Sequence, residues 1–398
     1  MRSTGQLPHK RLLLISEHFE PSTGATAQLM TDLAGGLHRR GWNITVLTAT
    51  PGGGLDFPVQ RLGGRAGVAV GVAAKALRGG RFLLGSLVWC LWHGRNGDGV
   101  LIVSNPPFIG VLGPLLQLSR RMPYVFVFQD LFPRSAVLSG VLPAAGPVAL
   151  LWRSLMQQVC RHSNTTVVLS QAMEERLRRD LGRDLPLQVI HNWAVERGLP
   201  KPRTENAFAQ EHGFADHFTL QYSGNFGRLH DLLTLLEAAR LLQNTTVKFV
   251  FIGGGAKRGQ IEAYQKAFAL QNVLQLPYQP RKRLPESLGA CDLSTIGLIP
   301  GAEDTVAPSK FYGILASGRG VVLIARRSCD LAQLVLQEGC GIVVEPGEAA
   351  ELAERLQILS GSPGEVAAMG ESSRALYERQ FGVERSIERY AAVLENLV

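Results

Sequence analysis

A lysine that opens a short helix is the most informative chemical feature of this sequence. Residues 308–313 follow a strand-like run at 293–299, and the pattern predicts a helix over residues 309–317. Ser309 in the N-cap position would leave N–H groups of the first turn unpaired, at the positive end of the helix dipole. With Lys310 beside it, this end suits a phosphate. The alternative is an ordinary capped helix with a solvated lysine.

Three further basic side chains follow strand-like segments in the same half of the chain. They are Arg228, after the run at 218–223, and Lys257 and Arg258, after the run at 247–252 and a triple-glycine turn. Turns that follow parallel strands lie at the carboxyl edge of a sheet, so we predict that these cations and Lys310 gather there. The alternative is that all of them are solvated surface charges.

Several common nucleotide and hydrolase motifs are absent from the sequence. No G-x-G-x-x-G follows a predicted strand, and neither a P-loop, a G-x-S-x-G elbow nor a D-x-D pair occurs. A diphosphate held through Mg²⁺ would want close carboxylates. The sequence therefore predicts that cationic side chains and helix ends neutralise the diphosphate, without a metal.

The order of strand and helix patterns indicates two successive α/β domains. The predicted strands cover residues 11–17, 43–48, 100–104, 124–128, 166–170 and 187–190, and then 218–223, 247–252, 273–276, 292–299 and 321–325. Residues 191–206 are typical of a linker. A leucine-rich helix is predicted over residues 229–242, and three more helices are predicted around 348–360, 364–379 and 383–397. We predict domains at 1–195 and 207–380 and a terminal helix at 381–398. Two doubly wound domains would place a ligand in the cleft between strand carboxyl ends.

The charge of the chain is concentrated in its first half. Residues 1–200 carry a net charge of +10 and residues 201–398 a net charge of −2. In the segment 61–95, basic residues alternate with apolar ones that include Trp89 and Trp92, which suits a segment lying on an anionic membrane surface. Core helices whose bases snorkel to water are the alternative. The longest uninterrupted apolar runs fall short of the roughly 20 residues of a membrane span.

The five cysteines are scattered through the 398 residues, without a C-x-x-C pair. This usage indicates free thiols in a reducing cytosol. The pattern at the N-terminus does not predict a secretory signal, because Glu17, His18 and Glu20 follow the short apolar run too soon.

Seven short motifs together resemble glycosyltransferase family 4, whose members have the two-domain GT-B fold. The motifs occupy residues 21–27, 129–133, 191–193, 222–228, 251–258, 277–280 and 308–313. The sequence is most similar to bacterial exopolysaccharide and O-antigen enzymes of the fucosaminyl transferase type. The resemblance implies two Rossmann-like domains that face each other across a cleft, and a terminal helix that crosses back to the first domain.

The resemblance also implies a donor, a UDP-sugar, held mainly by the second domain, and no cofactor. The residues expected to bind it are Gly224, Asn225, Arg228, Lys257, Arg258, Tyr278, Gln279, Ser309 and Lys310, with Gly24 of the first domain facing the phosphates or the acceptor. Arg228 and Lys310 would hold the diphosphate, and Tyr278 and Gln279 would cover the base. The family implies transfer with retention of configuration.

The expected acceptor is a polyprenyl-diphosphate-linked saccharide at the cytoplasmic membrane, which would explain the basic, tryptophan-bearing first domain. Asp130 is the candidate that orients or deprotonates the acceptor hydroxyl; otherwise it is a structural carboxylate that caps a turn before Pro133. Glu20 is a second candidate, or a loop charge. The enzyme would be cytoplasmic and peripherally bound to the inner membrane.

Three departures from the family pattern bear on activity. Thr305 and Gly313 occupy the positions of a common pair of glutamates, of which one binds the ribose, so Glu303 or Asp304 would have to substitute. Gln129 precedes Asp130 where a histidine is common, and His230 replaces a lysine. A catalytically inactive GT-B protein that binds a partner is therefore one alternative. A nucleic-acid-binding protein is another, although the basic half lacks both an aromatic–basic ladder and a recognition-helix motif.

Overall fold

The computed structural model describes residues 11–62, 71–195 and 205–397, and the chain forms two compact units. The first unit comprises residues 1–195, 305–307 and 383–398, and the second comprises residues 196–304 and 308–382. Each unit is built around its own parallel sheet.

The described part of the first unit contains a parallel sheet of seven strands in the order β3-β2-β1-β4-β5-β6-β7. These strands are β1 (Arg11–Ile15), β2 (Asn43–Thr48), β3 (Val59–Arg61), β4 (Gly99–Val103), β5 (Tyr124–Val127), β6 (Thr165–Val168) and β7 (Leu187–Val189). In the register of the central strands, Leu13 of β1 pairs with Thr45 of β2 and with Val100 of β4. The central strands are almost wholly apolar because helices cover both faces of the sheet.

Two hydrophobic cores lie on the two faces of this sheet. The helices described in residues 11–195 are α1 (Ala25–Arg39), α2 (Val72–His93), α3 (Leu112–Arg120), α4 (Arg134–Leu138), α5 (Pro147–His162) and α6 (Gln171–Leu181). Leu12 and Leu14 of β1 pack in the core that contains Leu33 of α1. Leu13 and Ile15 face the opposite core, which contains residues of α2, α3, α5 and α6. Alternate residues of a strand point to opposite faces, so the short apolar strand β1 contributes side chains to both cores.

The described part of the second unit contains a six-stranded parallel sheet in the order β10-β9-β8-β11-β12-β13. Its strands are β8 (Phe218–Asn225), β9 (Val247–Gly254), β10 (Val273–Leu276), β11 (Leu293–Gly297), β12 (Gly320–Ile324) and β13 (Gly341–Val344). Its helices are α7 (Ala207–Glu211), α8 (Leu233–Leu241), α9 (Arg258–Ala267), α10 (Leu284–Leu288), α11 (Lys310–Ala316), α12 (Asp330–Gln337), α13 (Ala349–Ser360) and α14 (Pro363–Gln380). The strand order reverses direction between β8 and β11, which makes this the topological switch point where α/β sheets bind ligands.

The last helix, α15 (Val383–Glu395), belongs to the first unit. Ile387, Tyr390 and Leu394 are buried in the core that also contains α1. Gly36 of α1 permits this packing, because a Cβ atom there would lie 2.3 Å from Cδ1 of Ile387.

The parallel strands predicted from the sequence are confirmed, with shifts of a few residues at their ends, whereas two other predictions are wrong. The helix after β8 begins at Leu233 rather than at 229, because the carboxylate of Asp231 accepts hydrogen bonds from the N–H groups of Leu233 and Thr234. The linker does not begin at 191, since Trp193 is only 1% exposed and its indole N–H donates to Asp32. Residues 196–204 of that stretch lie outside the described residues.

All five cysteines are free, as predicted. Across residues 11–62, 71–195 and 205–397, none of the helices has the length and apolar character needed to cross a membrane.

Candidate active site

Two glycine-containing turns and one loop meet at the carboxyl ends of β8, β9 and β11. The turn after β8 and the turn after β9 are joined by backbone hydrogen bonds, from Phe226 N–H to Gly254 and from Lys257 N–H to Phe226. Gly253 makes this approach possible, because its φ is +136° and a Cβ atom there would lie 2.1 Å from the carbonyl oxygen of Gly224. The triple-glycine segment thus brings the two turns into direct contact.

Lys310 begins α11, and its amine is buried without a hydrogen-bond partner among the described residues. Nζ lies 3.5 Å from the centroid of the Tyr222 ring, on strand β8. A Cβ atom at Gly224 would lie 3.9 Å from Nζ, so the amine sits beside the turn after β8. Burial lowers the pKa of Lys310 well below its ordinary value. The aromatic face offers only a cation–π contact, so an anion at this position would supply the partner that the amine lacks.

Ser309 is the N-cap residue of α11, the position predicted from the sequence, and its side chain makes no capping hydrogen bond. Its backbone angles, φ −56° and ψ −27°, are helical, whereas a capping hydroxyl needs an extended backbone to reach the first-turn N–H groups. The N–H of Phe311 donates to the carbonyl of Pro308. The Ser309 hydroxyl therefore leaves the first-turn N–H groups without a side-chain cap, as expected from the sequence.

The other three predicted cations differ from Lys310. The ammonium of Lys257 donates to the carbonyl oxygen of His230 at 2.5 Å, so it braces the turn after β8. Arg258 forms an exposed ion pair with Glu262 one helical turn along α9. Arg228 is exposed and forms no ion pair or hydrogen bond with the residues that the structure describes. The four cations lie near the same sheet edge, but two of them already have partners.

Tyr278 and Gln279 follow β10, next to the turn after β9. The Tyr278 hydroxyl donates to the carbonyl of Gly254 at 2.9 Å, while 58% of the residue remains exposed. The amide of Gln279 donates to the carbonyl of Pro277. The hydroxyl holds an accessible aromatic ring at the rim of the sheet, and the predicted contact of this ring with a base stays a prediction.

The two positions at which the family commonly has glutamates, Thr305 and Gly313, lie in different parts of the structure. Thr305 is buried in the first unit, where its hydroxyl accepts a hydrogen bond from Nε of Arg134. Gly313 lies within α11. The carboxylate of Glu303 is paired with Arg326, at 3.0 Å, and also accepts from the N–H of Gly301. These contacts of the Glu303 carboxylate stabilise the loop that contains it. To bind ribose, Glu303 would have to make a further contact.

In the first unit, Asp130 lies beyond the end of β5, in a segment that pairs with residues 305–307. Its backbone forms an antiparallel bridge with Val306, and Leu131 N–H donates to the carbonyl of Thr305 at 2.9 Å. The carboxyl group is half-buried, and burial raises its pKa to about 6. Its side chain makes no hydrogen bond to the described residues, so the alternative of a turn-capping carboxylate is wrong. A carboxyl group with such a pKa can exchange a proton near neutrality.

The loop before α1 holds the other two predicted residues of this unit. Glu20 is exposed, and its N–H donates to the hydroxyl of Thr31. Gly24 is the exposed residue that precedes α1, and its carbonyl accepts from the N–H of Gln28. The backbone of this loop is fixed, whereas the Glu20 side chain has no partner among the described residues.

Helices α2, α3, α4 and α5 contain no aspartate or glutamate, and they expose apolar side chains. The largest exposed fractions are those of Leu118 at 87%, Trp92 at 82%, Leu151 at 63%, Leu84 at 60% and Leu77 at 59%. The bases Lys75, Arg81 and Arg161 on these helices are exposed and have no acidic partner in the described chain. A hollow of about 490 Å³ between Leu62, Leu84, Val88, Trp89 and Trp92 lies on α2. We call this surface the carboxylate-free face.

Sequence reasoning assigned no role to Tyr222, although it lies in one of the motifs. Its ring packs against Lys310, which is 88 positions away along the chain. The pairing of β8 with β11 brings the two together, and a single sequence without that pairing carries no signal for the contact.

Comparisons with known proteins identify the family and the fold that the chain shares. Residues 26–194 match the family model described as Glycosyltransferase Family 4, and residues 204–376 match Glycosyl transferases group 1. The chain is 26% identical over 308 residues to the probable glycosyltransferase WbjE of Pseudomonas aeruginosa, covering 76% of each chain. It is 33% identical over 126 residues, 31% of each chain, to the putative colanic acid biosynthesis glycosyl transferase WcaI of Escherichia coli.

Solved structures share the fold over almost the whole chain. The sucrose-phosphate synthase of Thermosynechococcus elongatus has a TM-score of 0.78 at 18% identity, covering 98% of this chain and 99% of that one. HepE of Anabaena, in complex with UDP and glucose, has a TM-score of 0.76 at 16% identity, covering 98% and 100%. The two parallel sheets and these likenesses show the GT-B fold. The chain therefore belongs to glycosyltransferase family 4 and is a GT-B glycosyltransferase.

Proposed function

We propose that this enzyme transfers a sugar, with retention and without a metal, from a UDP-sugar to a polyprenyl-diphosphate-linked saccharide. The observation that carries the proposal is the buried Lys310 amine at the switch point of the second sheet, which has no hydrogen-bond partner within the described part of the chain. Similar proteins support the setting: WcaI is described as a putative colanic acid biosynthesis glycosyl transferase, and the structurally similar WaaG as a glycosyltransferase involved in lipopolysaccharide biosynthesis. HepE was solved with UDP-glucose. We assign the product to a cell-surface polysaccharide, such as an exopolysaccharide or O-antigen.

In the proposed reaction, the bond between the anomeric carbon and the diphosphate oxygen breaks, and the acceptor oxygen bonds to that carbon. Lys310 and Arg228 stabilise the negative charge that grows on the departing diphosphate, as preorganised groups do in many transferases. The proton of the acceptor hydroxyl passes to Asp130 or is oriented by it. The cations replace the divalent ion that other nucleotide sites use, and no cofactor takes part.

The donor would be held by the turns described above. The backbone at Gly224 and Asn225 approaches the diphosphate, and the exposed ring of Tyr278 stacks on the base. Gln279 lies beside that ring. In this proposal the nucleotide would lie along the carboxyl edge of β8, β9 and β11, where a doubly wound sheet binds its ligand.

We assign the carbohydrate-carrying lipid to the carboxylate-free face, which would rest on the cytoplasmic leaflet of the inner membrane. Apolar side chains enter the interfacial region while unpaired bases contact anionic headgroups, each worth about 1 kcal/mol. The hollow beside Trp92 has the apolar lining that a hydrocarbon chain would need. This proposal extends the membrane contact from the segment 61–95 to α3 and α5; residues 63–70 lie outside the described residues.

The activity is tested with the full chain, a panel of radiolabelled nucleotide sugars and membrane lipid extract as acceptor. We expect label to enter the lipid fraction with a UDP-sugar, at the same rate in the presence of EDTA, and the new linkage to keep the donor's anomeric configuration. UDP binding without turnover across the panel would favour the inactive binding protein instead.

Membrane contact is tested by flotation with vesicles of phosphatidylglycerol and of phosphatidylcholine. Trp92→Glu and Lys75→Glu should weaken binding to the anionic vesicles at about 0.15 M salt, whereas Ile358→Glu is the matched control. Ile358 is also exposed, at 54%, but lies on α13 of the second unit. Equal binding by all variants would exclude this face, and equal retention on duplex DNA would favour the nucleic-acid binder.

A further inference from the structure

Arg81 lies in a stripe of exposed apolar residues along α2. Positions 77, 81, 84, 88 and 92 are three or four residues apart, so they share one side of the helix. The other four are Leu77, Leu84, Val88 and Trp92, each more than half exposed. The Arg81 guanidinium is exposed as well and makes no ion pair or hydrogen bond with the residues that the structure describes. The stripe therefore carries a single charge within an apolar surface.

Helix α2 crosses the first sheet from its carboxyl edge to its amino edge. Near the start of the helix, Nε of Arg78 lies 2.9 Å from Oε1 of Glu17, which follows β1. At the end of the helix, the carbonyl oxygen of His93 accepts a hydrogen bond from Arg11, the first residue of β1, at 2.8 Å. Asp130 follows β5 at the carboxyl edge of the same sheet. The start of α2 thus lies at the edge that carries the candidate acceptor residue.

The apolar hollow lies along the second half of α2, towards the amino edge. It is lined by Leu62 and by residues of α2 between 84 and 93. Arg81 precedes this lining by one helical turn, and Arg78 precedes Arg81 by another turn. From the carboxyl edge, the order along α2 is therefore the paired base Arg78, the unpaired base Arg81, and the hollow.

An arginine in such a stripe needs an anion once the stripe is covered. Contact with hydrocarbon removes water from the Arg81 guanidinium, and a charge without water or a partner is costly. The helix itself contains no aspartate or glutamate that could pair with it. The planar fork of a guanidinium binds two phosphate oxygens at once. A lipid that carries phosphate next to its hydrocarbon chain would supply both the cover and the anion.

We infer that Arg81 binds the diphosphate of the lipid acceptor, with the polyprenyl chain in the hollow and the saccharide directed towards the carboxyl edge of the first sheet. This inference rests on the proposed polyprenyl-diphosphate-linked acceptor. Chain, diphosphate and saccharide follow one another along the lipid, as the hollow, Arg81 and the carboxyl edge follow one another along α2. Phosphatidylglycerol offers Arg81 one phosphate and no saccharide, so the enzyme should prefer the diphosphate lipid.

Two other bases serve as matched controls for general attraction to an anionic membrane. Lys75 is an exposed base of α2 that lies about 120° around the helix from Arg81. Arg95 is an exposed base just beyond the opposite end of the hollow. Neither side chain forms an ion pair with the described part of the chain. Arg81→Gln, Lys75→Gln and Arg95→Gln each remove one exposed positive charge, so we expect equal melting temperatures and similar small losses of binding to phosphatidylglycerol vesicles.

The measurement is flotation of the full chain with phosphatidylcholine vesicles that contain either a polyprenyl diphosphate without saccharide or phosphatidylglycerol. The two kinds of vesicle have a matched surface charge, at about 0.15 M salt. The wild type should bind the diphosphate vesicles about tenfold more tightly, as expected for hydrogen bonds to a charged group. Arg81→Gln should lose this preference, whereas Lys75→Gln and Arg95→Gln should keep it within about twofold.

Kinetics give a second readout of the same role. In Arg81→Gln, the KM for the lipid-linked saccharide should rise about tenfold, because the ground state and the transition state lose the same contact. The kcat and the calorimetric affinity for UDP should stay within about twofold of the wild type, since Arg81 is assigned to the acceptor alone.

Two results would overturn the role of Arg81 and leave the proposed acceptor standing. They are a wild-type preference and KM in Arg81→Gln, and equal losses of preference in all three variants. Loss of the preference in Arg95→Gln alone would place the diphosphate at the amino edge, which contradicts the inferred orientation. A wild type that transfers sugar to the lipid-linked saccharide without preferring the diphosphate vesicles would also overturn the inference alone. If the wild type neither prefers these vesicles nor uses that saccharide, the proposed acceptor is wrong and the inference fails with it.

Discussion

The loop that ends in Lys310 and the turn that carries Lys257 and Arg258 lie at the same edge of the second sheet, yet they treat their cations differently. The Lys257 ammonium has a carbonyl partner at 2.5 Å, and Arg258 has an acidic partner at 2.8 Å. The buried Lys310 amine has an aromatic face and no hydrogen bond among the described residues. A buried polar group without a partner costs stability, so a protein that keeps one there has a use for it. Whether a basic side chain at a sheet edge already has a hydrogen-bond or ionic partner therefore indicates more about ligand binding than its position does.

The largest effect should follow from Lys310→Met, which keeps the length of the side chain and removes the amine. We expect turnover of the UDP-sugar to fall by about 10²–10³, as for the loss of one preorganised donor group. The melting temperature should stay equal or rise. Because the folded protein lowers the pKa of Lys310, charging this amine costs stability below its folded pKa, and that cost vanishes above its unfolded pKa.

The gain in melting temperature of Lys310→Met should therefore be larger at pH 6 than at pH 10. Thermal unfolding at the two pH values and steady-state kinetics measure these effects. If Lys310→Met keeps the turnover of the wild type, the unpaired Lys310 amine is no more important for catalysis than the paired Lys257 and Arg258.

Asp130 is an acidic group that resembles Lys310, since its carboxyl group is partly buried and makes no side-chain hydrogen bond to the residues that the structure describes. If it must be ionised to accept the acceptor proton, kcat/KM should fall about tenfold per pH unit below its pKa of about 6. The raised pKa means that ionisation destabilises the folded state, so Asp130→Asn should unfold at a higher temperature at pH 7.5. A pH–rate profile without a limb near 6 would contradict this role.

Lys257→Met should have a smaller effect, and on stability more than on chemistry. Loss of the hydrogen bond to the His230 carbonyl should lower the free energy of unfolding by about 1 kcal/mol. Turnover should fall less than tenfold, through looser placement of the turn after β8. Urea unfolding and kinetics on the same preparation would show whether Lys257 braces the site; a loss in turnover as large as that of Lys310→Met would make the two lysines equivalent.

The smallest effect should come from Arg258→Ala. Exposed ion pairs within a helix contribute about 0.3–0.5 kcal/mol, and this pair is open to solvent. We expect turnover within about twofold of the wild type at 0.15 M salt. A loss above tenfold would show that Arg258 leaves Glu262 to bind the donor.

The elements that could be predicted from the sequence were those with a strong local pattern. The strands at 43–48 and 273–276 have the predicted bounds, because an apolar run and a turn mark each end. Strands β3 and β13 were not predicted from the sequence, and pairing with a neighbouring strand, β2 and β12 respectively, defines them in the structure. The start of α8 depended on Asp231, a cap that apolar periodicity does not reveal.

Part of the candidate site could also be predicted from the sequence, because it depends on a local pattern. Lys310 stands next to a strand end, so its place at the sheet edge follows from the order of elements. Its contact with Tyr222 follows from the pairing of strands, and the contact of Tyr222 with Nδ1 of His230 follows from the shape of the turn after β8. Neither contact can be predicted from a single sequence, because the first joins residues far apart in the chain and the second depends on the geometry of the backbone.

The packing of α15 has a consequence for the order in which the chain can fold during synthesis. The core around α1 lacks Ile387, Tyr390 and Leu394 until residues 387–394 have left the ribosome. The second unit has all its described strands by residue 344, and α14 follows by residue 380. The later-made half can thus complete its core first, while the earlier-made half waits for its last helix with apolar surface uncovered and available to chaperones.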